Sequence, residues 1–217
     1  MSIIRLIAVA FIPAFICCGM MVYRKQPLGT VLPVFLAAAA AVLAAFVLQA
    51  GMHRVLQPPA FKETGVPALV FHSFIVSAFI EEGVKAGVFV FLCNACPRLN
   101  RRETALNSLF ITAVLFGLIF SGFENIFYAI RYPHIHLIRL CSASVLHGGI
   151  SVFYRAVVQA NTVEKQIRYV IEAIFLHGAY NFFTALGGWF FLCAAAVLCK
   201  VCFYPPLPGN KHELSKQ

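Results

Sequence analysis

The sequence predicts an all-α protein: a polytopic bundle of about seven transmembrane helices with a polar cavity between the third and sixth. Three observations carry that prediction. Hydrophobic residues make up 61% of the 217-residue chain, with a mean hydropathy of +0.84. Charged residues make up only 12%, and every one of the acids is Glu. Apolar runs near the ~20 residues that a helix needs to cross a bilayer recur along the chain. A soluble core could not bury this much apolar surface with so little polar surface to cover it. Lipid is the expected solvent.

The apolar runs lie near residues 3–23, 30–50, 66–94, 105–130, 137–158, 169–186 and 188–204. The first has no small-residue cleavage site and reads as a retained helix rather than a removed signal peptide. Only Gly187 and Gly188 separate the last two runs, so that turn must be tight. The other connections are too short to hold a soluble domain. The chain therefore reads as one transmembrane domain, 1–204, with its chemistry in 66–186 and a polar tail at 205–217.

Loop charges predict orientation. Eleven cations fall on one side: Arg24, Lys25, Arg98, Arg101, Arg102, Arg155, Lys165, Arg168, Lys200, Lys211 and Lys216. Five fall on the other: Arg5, Arg54, Lys62, Arg131 and Arg139. Positive loops stay inside, which puts the N-terminus outside and the C-terminus in the cytoplasm. The net charge of +9 is scattered between apolar runs. It favours lipid headgroups over nucleic acid, which would want the charge on one soluble face. A compact chain of this kind suits a bacterial inner membrane.

Of the eight cysteines, Cys17, Cys18, Cys141 and Cys193 sit inside apolar runs and read as small hydrophobes. Cys93 with Cys96 and Cys199 with Cys202 have ligand-like spacing at expected cytoplasmic helix ends. A four-thiolate zinc site is one reading and chance spacing the other.

Ionisable groups at bilayer depth cost roughly 2.5–3.5 kcal/mol each, so they persist where they are paired or do work. The third run holds Glu81, Glu82 and Lys85. At about 100° per residue, Lys85 projects between the two carboxylates and can pair with either. Two adjacent carboxylates in low dielectric cannot comfortably both ionise, which suits acid and base work. The fourth run holds Glu124 and Asn125, with Phe120 one turn before on the same face and Gly117 and Gly122 open to a close helix. Arg131 is a possible partner for Glu124. The fifth run holds His147, with Ser151 and Arg155 on its stripe. The sixth holds His177, with Asn181 one turn on. Two imidazoles opposite a Glu pair match either a catalytic zinc site with an open position or a metal-free general-base site.

Other polar residues read as bland. His72 falls about 180° round the helix from Glu81 and is expected to face elsewhere. His53, His134 and His136 read as loop residues, Glu172 with Arg168 as a surface pair, and Trp189 as a lipid-facing or packing residue.

Glu81-Glu82-Gly83-Val84-Lys85, then Phe120 with Glu124-Asn125, then His147, then His177 with Asn181 stand in order, one motif per helix. This series resembles the PrsW family of membrane proteases, within the CAAX-protease/Abi superfamily that also includes a gamma-secretase subunit. The resemblance covers residues 81–181. It implies proteolysis of membrane-anchored substrates, single-span proteins such as anti-sigma-factor-like regulators, with no nucleic acid involved.

It also implies either a metalloprotease or a glutamate-activated water. On this reading Glu81 or Glu82, with Glu81 favoured, is the general base. Glu124, His147 and His177 hold the water directly or through Zn²⁺. Lys85 tunes the Glu pair, and Asn181 orients His177 or stabilises the oxyanion. Two rival readings stand beside it: a non-catalytic scaffold whose polar cluster only packs helices, and a small Glu/His-lined transporter or proton channel.

Overall fold

A computed structural model describes residues 3–23, 28–55, 65–96, 99, 105–131 and 137–203. The tail at 205–217, His134, His136 and half of the loop cations used for orientation lie outside them. Among the described residues the protein is all-α. Helix α1 spans Ile3–Tyr23, and a 3-10 turn at Leu28–Thr30 leads into α2, Val31–Val55. Helix α3 (Val66–Phe71) continues through a π-helix (His72–Phe79) into α4 (Ile80–Ala95). Then come α5 (Ala105–Arg131), α6 (Leu137–Gln159), α7 (Val163–Leu186) and, after a short 3-10 turn, α8 (Phe191–Phe203).

These helical runs match the seven expected from apolarity. Leu28–Val55, Ser108–Arg131 and Cys141–Gln159 are long and apolar enough to cross a membrane by length and composition, and Ile7–Tyr23 and Gly188–Phe203 are shorter apolar helices. The run 66–95 carries the Glu81, Glu82 and Lys85 charges inside it. Side chains such as Phe15, Val47, Phe91 and Trp189 stand exposed, as on a surface solvated by lipid.

Helix α7 begins six residues earlier than its apolar run. Thr162 caps it, its Oγ1 accepting from the Lys165 N–H at 3.3 Å, and Glu164 sits in the first turn where the helix dipole favours an acid. Lys165 and Arg168 are therefore helical rather than loop residues. The helix ends at Gly187, whose φ of +69° and that of Gly188 at +55° lie in the left-handed region. Glycine adopts it without a Cβ clash, which makes the tight turn into α8.

The core sits between α2, α4, α5, α6 and α7. Phe89, Phe116 and Tyr154 are fully buried there, with ring centroids 5.4–6.3 Å apart. These rings knit α4, α5 and α6 together one turn beyond Lys85. Gly117 lets α5 and α6 close up: a Cβ there would collide with the His147 carbonyl and with Ser151. Gly122 makes room instead for the Phe11 ring of α1. Asn125, Ser121 and Ser144 form a small hydrogen-bonded group across the same α5–α6 seam, at 3.2–3.5 Å.

Candidate active site

Glu82 is the hub of the polar cluster and is 0% exposed. Its Oε1 lies 2.5 Å from Lys85 Nζ and 2.6 Å from His177 Nδ1, and its Oε2 accepts from the Tyr154 hydroxyl. Three donors from three helices converge on one carboxylate, which satisfies it fully.

Lys85 Nζ reaches onward to His147 Nδ1 at 3.0 Å and lies 4.3 Å from the centre of the Phe120 ring. An ammonium has only donors, so His147 Nδ1 accepts. The proton of the neutral ring is then on Nε2, which donates to Glu124 Oε2 at 2.6 Å. Charge and hydrogen bonding thus run unbroken from Glu124 through His147, Lys85 and Glu82 to His177. His147 has both ring nitrogens engaged. His177 donates Nδ1–H to Glu82 and turns its Nε2 lone pair the other way.

That lone pair faces Glu81. Glu81 Oε1 accepts from Gln49 Nε2 at 2.8 Å and from Ser77 Oγ at 3.2 Å. Its Oε2 is buried with no hydrogen-bond partner, 3.9 Å from both His177 Nε2 and Lys85 Nζ. Buried carboxylate oxygens are seldom left without a donor, which singles this one out. The carboxylate also lines a cavity of about 380 Å³ between α2, the π-helix and α5. Gln49, Ser77 and Glu124 line its polar part, while Val42, Phe46 and Phe127 line apolar walls.

The structure brings together Glu81, Glu82, Lys85, Glu124, His147 and His177. Asn181 is placed differently from expectation. Its Nδ2 donates to Ser77 Oγ at 3.0 Å, so it reaches Glu81 through Ser77 rather than orienting His177. Glu82, not Asn181, orients His177. Among the described residues, the ligand atoms that converge within 4.8 Å belong to Glu81, Glu82, His147 and His177. Glu124 stands outside these four, behind His147. Among the described residues these four are the only such group of three or more; the paired cysteines are not among them, and all eight cysteines are free.

His72 is also corrected. It lines the cavity with Glu81, because the i→i+5 turns of the π-helix rotate each residue less than an α-helix does and swing it round to that face. His53 lies in the last turn of α2, its ring 5.3 Å from that of His72. Three site residues went unread in the sequence. Ser77 carried a signal, one turn before Glu81. Tyr154 stands two turns after His147 on its stripe. Gln49 is a lone amide in an apolar run.

Fold and site together define a class: a helical membrane protein with a buried carboxylate–imidazole cluster opening onto a cavity. Residues 26–205 match the model of the PrsW family intramembrane metalloproteases. The chain belongs to the PrsW family, and its activity class is intramembrane proteolysis. No curated protein and no solved structure matches it.

The family's description implies a metal, and the donor set suits zinc in kind, with two carboxylates and two imidazoles. The orphaned Glu81 Oε2 and the open His177 Nε2, 3.9 Å apart, are within reach of one ion bound at about 2.0–2.2 Å to each. A third ligand would come from Glu82 or His147, both of which Lys85 engages.

Proposed function

We propose that this protein hydrolyses peptide bonds of membrane-anchored proteins within the bilayer, with Glu81 as general base. The observation that carries the reading is the unpartnered Glu81 Oε2, buried 3.9 Å from His177 Nε2 on a residue that lines a cavity. A water held between these two atoms has an acceptor for its proton on one side and an orienting nitrogen on the other. Lipid supplies no water, so an enclosed polar pocket is where hydrolysis in a membrane has to occur.

Glu81 takes a proton from that water as the oxygen adds to the scissile carbonyl carbon. The Lys85 ammonium beside Glu81 offsets the negative charge that develops. The carbon–nitrogen bond then breaks, and Glu81 returns the proton to the departing amine. Glu82 fixes the ring of His177, and Glu124 fixes His147, which in turn holds Lys85. Zinc bound by His177, with Glu82 or His147, would supply a water acidified toward a pKa of about 7 and leave Glu81 as the base. A substrate helix must unwind to enter the cavity, so we place its scissile bond near Gln49 and Ser77. The substrates are single-span proteins of the same membrane, which we take to be a bacterial inner membrane.

The test is cleavage of reconstituted single-span proteins in oxygen-18 water. One heavy oxygen at the new C-terminus, lost products with His177→Ala, and unchanged folding of that variant support the reading. Products that form equally well without His177 contradict it.

A further inference from the structure

We infer that Gln49, on α2 and outside the motif-bearing helices, is a positioning residue that selects Oε2 of Glu81 as the reacting oxygen. The inference rests on the proposed role of Glu81 and adds a residue to it.

A carboxylate is symmetric, and rotation about its last bond exchanges the two oxygens. For one of them to act as a base, the other must be held. Gln49 Nε2 donates to Oε1 at 2.8 Å, the shorter of the two bonds that oxygen receives. The second donor, Ser77, is a hydroxyl that itself accepts from Asn181 Nδ2 at 3.0 Å. Accepting from Asn181 turns the Ser77 proton toward Glu81. The two donors approach from separate helices and leave Oε2 with none. That is the oxygen facing His177 Nε2 and Lys85 Nζ.

The chemistry of an amide fits this task. A neutral donor orients the carboxylate without cancelling its charge, as a second lysine at that place would. Gln49 also lines the cavity, so it fixes Glu81 from the side on which substrate enters.

The test uses the full-length protein in liposomes with a single-span membrane protein as substrate. The variants are Gln49→Met, Ser77→Ala, the two combined, and Glu81→Gln. Gln49→Met is expected to lower kcat about tenfold, the scale of one hydrogen bond to a charged group, with KM unchanged and the protein still folded at the assay temperature. The double variant falls further than the product of the single effects. A fall in kcat matched by loss of folded protein at the assay temperature, or no fall, overturns the inference. Full activity of Glu81→Gln overturns the proposed function instead.

A second readout needs no turnover. The Glu81 carboxyl band, isolated as the infrared difference between wild type and Glu81→Gln, shifts in Gln49→Met if that amide is its donor. An unchanged band overturns the inference.

Discussion

Glu81 Oε2 and His177 Nε2 face each other at 3.9 Å, each without a direct hydrogen bond to the other and each anchored from behind. Gln49 and Ser77 hold the far oxygen of Glu81, and Glu82 holds the far nitrogen of His177. Two opposed, preoriented atoms at this distance are within reach of one bridging water or ion.

Glu82 stands behind His177. Glu82→Gln removes the charge that balances the buried Lys85, whose next carboxylate oxygen is 3.9 Å away. Stripping one partner from a buried pair costs on the order of 3–5 kcal/mol. Unfolding in detergent should show a loss of that size, with activity falling alongside it. A variant as stable as wild type would mean that Lys85 is not charged there.

Tyr154→Phe deletes one donor to Glu82 and leaves the aromatic packing with Phe89 and Phe116 in place. A hydrogen bond to a charged group contributes about 1.5–3 kcal/mol. The expected outcome is a loss in that range by thermal or denaturant unfolding, with residual cleavage retained.

Gly117→Ala places a methyl against the His147 carbonyl and Ser151. Overpacking costs about 1–3 kcal/mol, and here it also moves the helix that carries His147. Stability and kcat should both drop. A neutral outcome would show that α5 and α6 have slack at this crossing.

Lys85 competes with any metal for Glu82 and His147. Lys85→Met frees both, so the variant should be destabilised in chelator and recover its Tm as zinc is added, with zinc content by atomic emission rising above that of wild type. If zinc leaves its Tm unmoved, these side chains are not a ligand set.

The helices were legible because lipid solvation imposes a simple rule, about 20 apolar residues per span, and the chain follows it in order. The early start of α7 was hidden by the same rule: its first turns carry Glu164, Lys165 and Arg168, and only the Thr162 cap announced them. Glu81, Glu82, Lys85, His147 and His177 were legible because charge at bilayer depth is costly and therefore conspicuous. Gln49 and Tyr154 were not, since their partners lie 32 and 72 residues away in the chain and no local spacing encodes such pairs. His72 was misplaced because a π-helix follows from hydrogen-bond geometry that periodicity assumes to be α-helical.

The most direct measurement is cleavage of a single-span membrane protein in liposomes by wild type and by Glu81→Gln, at matched Tm. Gln keeps the shape of Glu and loses the base. The account predicts products with wild type and none above background with Glu81→Gln. Equal cleavage by the two would contradict it, because no other carboxylate oxygen in the Glu81–Glu82 pair is left open to take the proton.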